Sequence, residues 1–180
     1  MCIRDRSITE RNGIIHYTIL HSPQEKLPDN LYLIAHVRGF LLFVQPIQKG
    51  QGAVSLKSIP EGILTLTLLD GNYVPHSERL VFVRQNHSTW QLASDKASYG
   101  SRLPISLNIH LSDLSGQPIK GDFSLSITDN YAIRCDSTAD NILSNLLLTS
   151  DIKGYIETPG YYFKDNSQRL KACLDNLMIT

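Results

Sequence analysis

The sequence predicts an all-β chain of antiparallel strands, on three observations. Apolar and polar residues alternate with period two in residues 64–68, 105–112 and 122–128, so each segment has one apolar and one polar side. Turn signals recur at short intervals, as they do in β-sandwiches and barrels. No segment of helical length and periodicity lies before residue 137, which argues against alternating strands and helices. Because antiparallel sheets commonly leave one face in water, the strands are expected to pair antiparallel.

The remaining strands follow from short apolar runs that lie between turns. They are expected at residues 14–20, 31–37, 40–47, 52–57, 79–83 and 89–93. Residues that favour turn conformations separate the strands, at Asn12-Gly13, Arg38-Gly39, Pro60-Glu61-Gly62, Asp70-Gly71 and Ser115-Gly116.

A weak internal repeat links residues 64–83 with residues 109–128. Both read strand, aspartate, turn, proline and strand, and the spacing from Asp70 to Pro75 equals that from Asp113 to Pro118. Aspartate opens such turns, and proline is tolerated where a strand begins. Two related domains in tandem would produce this repeat, with the polar residues 85–88 as their joint.

The pattern becomes helical after residue 129. An amphipathic helix with Asp136 or Ser137 as its N-cap is expected from the spacing of Ile142, Leu143, Leu146 and Leu147. Residues 151–163 are rich in turns and contain four aromatic residues, which are expected to pack this helical insert onto the second sheet. A further helix is expected in residues 166–180, capped by Asn166 or Ser167, with an apolar stripe of Leu170, Cys173, Leu174, Leu177 and Met178.

Both ends of the sequence predict a fragment of a longer protein. Residues 1–6, MCIRDR, resemble the translation of a transposon-type sequencing adapter and are set aside as an artefact, the alternative being a genuine start at Met1. At the other end, the apolar stripe of the last helix is still running at residue 180, without a stop signal.

Charge and hydropathy exclude two classes of protein. The chain has 17 basic and 17 acidic residues, and removing Arg4, Arg6 and Asp5 leaves 15 and 16. A nucleic-acid-binding surface would need a basic patch or stripe, so no nucleic-acid partner is expected. The longest apolar run, residues 40–44, is far too short for a membrane-spanning helix.

Motif searches predict no catalytic, cofactor-binding or metal-binding residue, and hence no enzyme. The sequence lacks a G-x-S-x-G elbow, an H-E-x-x-H motif and a phosphate-binding glycine loop. His16, His36 and His110 lie in predicted strands, where single histidines are usually surface or core residues. Cys135 and Cys173 lack metal or redox spacing; they could form a disulfide in an oxidising compartment, or Cys173 could be a free apolar residue of its helix.

Several segments together resemble a known family. The runs FSLSITDN (residues 123–130), NILSNLLLTSDIKGYIETPGYYF (141–163) and LDNLMIT (174–180) are similar to the macroglobulin-like region of a large outer-membrane protein family of Bacteroidetes. The resemblance extends to residues 31–39, 60–70, 77–84 and 94–102. In that family, tandem macroglobulin-type β-sandwiches precede a carboxypeptidase-regulatory-like domain and a TonB-dependent receptor plug. Thr158 departs from the family pattern, which has asparagine before Pro-Gly.

The resemblance implies tandem antiparallel immunoglobulin-like, macroglobulin-type β-sandwiches with a helical insert and a C-terminal helix. The first domain would cover residues 7–86 and lack its N-terminal part. The second would cover residues 87–180, carry the helical and aromatic insert at residues 137–180, and be truncated at its C-terminus.

The function implied is a non-catalytic structural or protein-interaction module of a TonB-linked outer-membrane protein. It would lie outside the cytoplasm, in the periplasm or at the outer membrane, with no cofactor and no membrane insertion of its own. Its partners would be the regulatory-like domain, plug and barrel of the parent chain, and other envelope proteins.

Two alternatives stay open. A protease-binding, inhibitor-like macroglobulin would use residues 131–140 as an exposed bait; it would act without a thioester, because neither Cys135 nor Cys173 lies in a Cys-Gly-Glu-Gln run. A glycan-binding adhesin domain would expose the aromatic residues of 155–163 in a row.

Overall fold

The computed structural model describes residues 5–20, 28, 30–48, 50–85, 88–128, 133–134 and 136–179, with the backbone alone at residues 5–7. The chain forms two compact units. The first consists of Met1–Arg84 together with Asp136–Thr180, and the second of Gln85–Cys135. The predicted domain boundaries, 7–86 and 87–180, stay predictions; in the structure the helical segment from residue 136 onward clusters with the first strands.

Two antiparallel sheets form the body of the first unit. One has three strands in the order β1-β2-β5, and the other has four in the order β4-β3-β6-β7. The all-β prediction is thereby confirmed. The strands are β1 (Asp5–Arg11), β2 (Ile14–Leu20), β3 (Leu31–Val37), β4 (Phe40–Ile47), β5 (Gln51–Ser55), β6 (Gly62–Asp70) and β7 (Pro75–Val83).

The two sheets share one hydrophobic core. Ile15 and Tyr17 of β2 pack in it with Leu33 of β3, Leu64 of β6 and Val81 of β7. All five side chains are buried, and each contributes about 1.5–3 kcal/mol through removal of apolar surface from water. Burial also raises the pKa of the Tyr17 hydroxyl, because the charged form loses its hydration.

Strand β6 is buried on both faces, which corrects the expectation of one wet face. Thr65 and Thr67 were predicted to face water, but both are buried. The reason is that β6 is an inner strand whose outer face is covered in part by the helical segment. The hydroxyl of Thr67 donates a hydrogen bond to Glu78 on the neighbouring strand, at 3.4 Å.

The helical segment contains α1 (Ile142–Ser144), a π-helical turn (Asn145–Thr149), a 3₁₀ turn (Pro159–Phe163) and α2 (Gln168–Leu177). Its buried residues form a second core on the outer face of β6 and β7, where Ile63 and Phe82 meet Leu148 and Leu174. The rings of Phe82 and Phe163 lie edge to face at 5.8 Å. The prediction that the aromatic residues pack onto the second sheet is therefore wrong: they pack onto the first unit's four-stranded sheet.

The start of α1 also differs from the prediction. Its N-cap is Asn141, whose side chain accepts hydrogen bonds from the N–H groups of Leu143 and Ser144 at 3.0 and 3.1 Å. Asp136 and Ser137 do not cap it. The predicted apolar stripe is largely exposed, whereas Ser144 and Leu148 are buried.

The prediction for the C-terminal helix is confirmed. Ser167 caps α2 by accepting a hydrogen bond from the N–H of Leu170. Leu170, Leu174 and Met178 of the predicted stripe are buried.

The second unit contains a two-stranded antiparallel sheet of β8 (Ser88–Ser94) and β9 (Leu107–Asp113). The strand predicted at residues 122–128 is absent: these described residues have no regular secondary structure. Pairing with β9 stops soon after an isolated bridge between Ser112 and Pro118.

Candidate interaction surface

Strand β4 is the outermost strand of the four-stranded sheet, and no strand among the described residues pairs with its outer edge. Its side chains are apolar yet exposed, with 78% of Phe40 and 50% of Val44 accessible to solvent. Of the features that protect such an edge in monomeric proteins, β4 has a proline, Pro46, but no charged residue. We call the exposed residues Phe40, Leu41, Leu42 and Val44 the β4 surface. Its sequence signal is the unbroken apolar run at residues 40–44, which predicted the strand but not the exposure of its side chains.

The hairpin between β3 and β4 explains how this strand is presented. Arg38 and Gly39 at its tip both have positive φ, 51° and 81°, as the mirror-image turns of tight hairpins require. A bulge follows, because Ala35 pairs with Phe43 while His36 pairs with Leu41, and Leu42 is left without an opposite residue. Bulges of this kind re-aim side chains near sheet edges.

Arg38 joins this hairpin to the helical segment. Its Nε lies 3.0 and 2.9 Å from the two carboxylate oxygens of Asp151, and its Nη2 donates to the carbonyl oxygen of Leu146. Ile142, Leu143 and Leu146 are exposed apolar residues of this segment. Arg38 lies two residues before Phe40, so its bonds tie the start of β4 to the segment that carries these side chains.

Two further arginines fix the helical segment on β7. The guanidinium of Arg84 donates to the carbonyl oxygens of Asp165 and Tyr162, both at 2.9 Å, and to the side chain of Asn166 at 2.6 Å. It also lies 5.3 Å from the centre of the Phe163 ring, within cation–π range. Partial burial lowers the pKa of Arg84.

The second anchor is Arg79, whose Nη2 lies 3.0 Å from Asp175 in α2. Arg79 and Arg84 thereby hold the segment against β7, while the side chains of the β4 surface stay exposed.

A second apolar face lies in the second unit. The pairs Trp90–Leu111 and Leu92–Ile109 bring these four side chains to one side of the β8–β9 sheet. Trp90 is 65% exposed. A two-stranded sheet alone is marginally stable, so a partner that covers this face would stabilise the sheet.

The repeated turns of the two units have the same internal pattern of hydrogen bonds. In the first, Asp70 Oδ1 accepts from the N–H groups of Asn72 and Val74 at 2.8 and 3.1 Å. In the second, Asp113 Oδ1 accepts from those of Ser115 and Gln117, both at 2.9 Å. The N–H of each aspartate also donates to a carbonyl oxygen four residues later. The internal repeat seen in the sequence is therefore present in the hydrogen-bonded geometry.

These bonds lower the pKa of both carboxyl groups, because they favour the charged form. For Asp70 the N–H of Val74 is the largest cause, followed by the side chain of His76. For Asp113 the hydroxyl of Ser115 is the largest, followed by the N–H of Gln117.

Hydrogen bonds hold part of the proposed bait, residues 131–140. Residues 131, 132 and 135 lie outside the described residues, and Ile133 and Arg134 are exposed. Beyond them, Thr138 donates from its N–H and its hydroxyl to Asp136 and accepts from the N–H of Gly160 at 3.0 Å. These hydrogen bonds fix the end of the segment without burying it, because Thr138 is half-buried and the other described residues of 133–140 are exposed.

The aromatic row required for glycan binding is not formed. Tyr155 is 91% exposed, but Tyr162 and Phe163 pack against the second core.

The remaining candidate residues are three histidines and two cysteines. His16 and His110 are exposed and His36 is half-buried. Cys173 is a half-buried free thiol, and Cys135 lies outside the described residues. Among the residues that the structure describes, no three of His, Cys, Asp or Glu are grouped so that they could hold a metal ion. Within the same residues, no helix has the length and hydropathy needed to cross a bilayer.

Comparison with known proteins gives no relative: no family model, no curated protein and no solved structure matches the chain.

Proposed function

We propose that this chain is a non-catalytic structural and protein-interaction module, and that it forms the macroglobulin-like region of a TonB-linked outer-membrane protein. The observation that supports the first part is the β4 surface, a set of exposed apolar side chains on an edge strand of the four-stranded sheet. Binding through such an edge uses backbone hydrogen bonds for affinity and alternate side chains for specificity.

The finer fold assignment is part of the same proposal. Two antiparallel sheets that share one core support a β-sandwich of this type. The repeated aspartate turn supports a second, related domain in the second unit. The parent chain's regulatory-like domain, plug and barrel, and other envelope proteins, are the proposed partners, in the periplasm or at the outer membrane.

The parentage is tested by recovering the DNA that flanks this reading frame. We expect a signal peptide upstream, and a regulatory-like domain followed by a receptor plug downstream. A reading frame that starts at Met1 and stops after Thr180 would contradict the assignment to an outer-membrane receptor.

The interaction role is tested by placing a photo-crosslinking amino acid at Phe40 of the parent protein in its native envelope. Crosslinks to protein are expected from Phe40. A matched probe at Trp90 tests the face of the second unit, and a probe at Arg169, an exposed polar position of α2, serves as the control. Equal crosslinking from Phe40 and Arg169 would contradict a dedicated surface on β4.

A further inference from the structure

We infer that Tyr32 and Tyr73 form a binding platform for a neutral carbohydrate, with a sugar ring stacked on the exposed ring of Tyr73. The two rings lie nearly parallel, with their centroids 6.2 Å apart and 24° between their planes. Tyr73 is 72% exposed, so most of its ring stays accessible beside the contact with Tyr32. The inference adds a ligand to the proposed function without resting on it, because neither the β4 surface nor the parent chain enters the argument.

The backbone of Tyr73 has a conformation that tyrosine rarely adopts. Its φ is 62°, in the left-handed region that is unfavourable for bulky side chains. The repeated turn shows which residue fits this position without strain, because the residue that corresponds to Tyr73 is Gly116, with a φ of 83°. The N–H of each donates to the carbonyl oxygen of the aspartate three residues earlier, at 3.0 and 3.1 Å. The first turn therefore keeps a tyrosine where glycine would fit without strain, and strained residues of this kind cluster at ligand-binding sites.

The fold holds both rings in place before a ligand binds. Tyr32 lies in β3, between β4 and β6, and is half-buried. Tyr73 is fixed by its turn, in which Asp70 Oδ1 accepts hydrogen bonds from the N–H groups of Asn72 and Val74, the residues on either side of it. Because both rings are already positioned, stacking on Tyr73 costs less conformational entropy than stacking on a free side chain.

Charge at the platform favours a neutral ligand. The turn, residues 70–75, has one charged side chain, Asp70. Its carboxylate already has partners within the protein, since Oδ1 accepts from the backbone and Oδ2 lies 3.0 Å from Nε2 of His76. Aromatic residues that stack on nucleic-acid bases are accompanied by basic residues for the phosphates, and residues 70–75 contain none. We therefore expect a ligand without charge.

Polar side chains beside the platform favour a ligand with hydroxyl groups. Asn72 is next to Tyr73 and is exposed. Asn30 lies against the same turn, since a Cβ added at Gly71 would stand 3.1 Å from the Asn30 Cβ. Neither side-chain amide has a hydrogen-bond partner among the described residues, and each offers two donors and one acceptor. A sugar combines a face of C–H groups, which packs on an aromatic ring, with hydroxyl groups that such amides bind.

The experiment is affinity electrophoresis of the full chain in gels that contain a soluble polysaccharide. A neutral α-glucan, β-glucan and mannan are compared with an acidic polygalacturonate. The chain should migrate more slowly in at least one neutral gel, and without retardation in the acidic gel. Tyr73→Gly removes the ring and relieves the backbone strain, so it should weaken binding about tenfold while the melting temperature in circular dichroism stays equal or rises. Tyr73→Phe keeps the ring and should retain binding.

Tyr155→Gly is the matched control. Tyr155 is 91% exposed and pairs with no other ring among the described residues, so this variant should bind like the unmodified chain.

Several results would overturn the inference. One is a chain that no neutral gel retards, or that the acidic gel alone retards. Another is a Tyr73→Gly variant that binds fully, or one that melts at a lower temperature, which would give the ring a packing role. Loss of binding in Tyr155→Gly would place the site on the helical segment. Binding of a polyproline peptide instead of a polysaccharide would make the platform a peptide site. None of these outcomes bears on the crosslinks from Phe40 or on the flanking reading frame, so the platform and the proposed function can fail separately.

Discussion

Replacing Arg84 with methionine should release the helical segment from the sheet. Arg84 makes three hydrogen bonds, to Asp165, Asn166 and Tyr162. A hydrogen bond from a charged group contributes about 1.5–3 kcal/mol when buried, and less when exposed. The bond to Tyr162 is partly buried and the other two are exposed, so we expect Arg84→Met to lower the free energy of unfolding by about 2–4 kcal/mol. Methionine keeps most of the side-chain volume, so the loss reports on the hydrogen bonds rather than on a cavity.

Urea denaturation measures the loss, and hydrogen exchange shows where it falls. Exchange should become faster in α2 and in the 3₁₀ turn, while β2 and β3 should keep their protection. Arg84→Lys retains the charge but cannot form the same fork of bonds, and should recover only part of the stability. Arg169→Met, at an exposed position of α2, is the control and should change stability by less than about 0.5 kcal/mol. If Arg84→Met behaved like Arg169→Met and left exchange in α2 unchanged, the anchoring role would be refuted.

Three more predictions concern the second core, the repeated turn and a close backbone contact. Leu148→Ala removes a fully buried side chain and should cost about 2–5 kcal/mol in urea denaturation, whereas Leu146→Ala, at an exposed position, should cost less than about 0.5 kcal/mol. The N–H of Val74 and further hydrogen bonds lower the pKa of Asp70, so its contribution to stability is present above its unfolded pKa of about 4 and is lost as the pH falls through the lower folded value. Asp70→Asn should flatten that acid-side loss in denaturation series between about pH 2 and 7. Gly160→Ala would place a Cβ against the backbone just before α1 and should lower thermal stability by about 1–3 kcal/mol, measured by calorimetry.

The strands could be predicted where apolar residues formed short runs between turns. The bounds of β2, β3 and β4 match their predictions, because Asn12-Gly13 and Arg38-Gly39 mark the turns at positive φ. Strand β1 (Asp5–Arg11) was missed, because its sequence has a single apolar side chain, Ile8, and therefore no apolar run or alternation.

The surfaces could not be predicted from periodicity, because periodicity shows which residues share a side and not what lies against that side. Thr65 and Thr67 were predicted to face water, yet they are buried. They lie on the face of β6 where Ile63 packs against a helical segment almost eighty residues away in the chain. The reverse error concerns α1 and the π-helical turn after it, where Leu143 and Leu146 were predicted to be buried but are exposed. Ser144 is buried in their place, since its hydroxyl donates to Asp140 at 2.5 Å and closes the cap of Asn141.

The repeated turn separates local from tertiary causes of strand formation. After Asp70 the chain enters β7, and after Asp113, through a turn with the same hydrogen bonds, it forms one bridge and no strand. The turn therefore does not decide the outcome. Both faces of strand β7 are packed: Val81 and Val83 lie in the shared core, and Phe82 lies against the second core. After the second turn the apolar residues Phe123, Leu125 and Ile127 remain exposed. Burial supplies the free energy that offsets the entropy of ordering a strand, so a partner that covers these residues should also bring the strand into order.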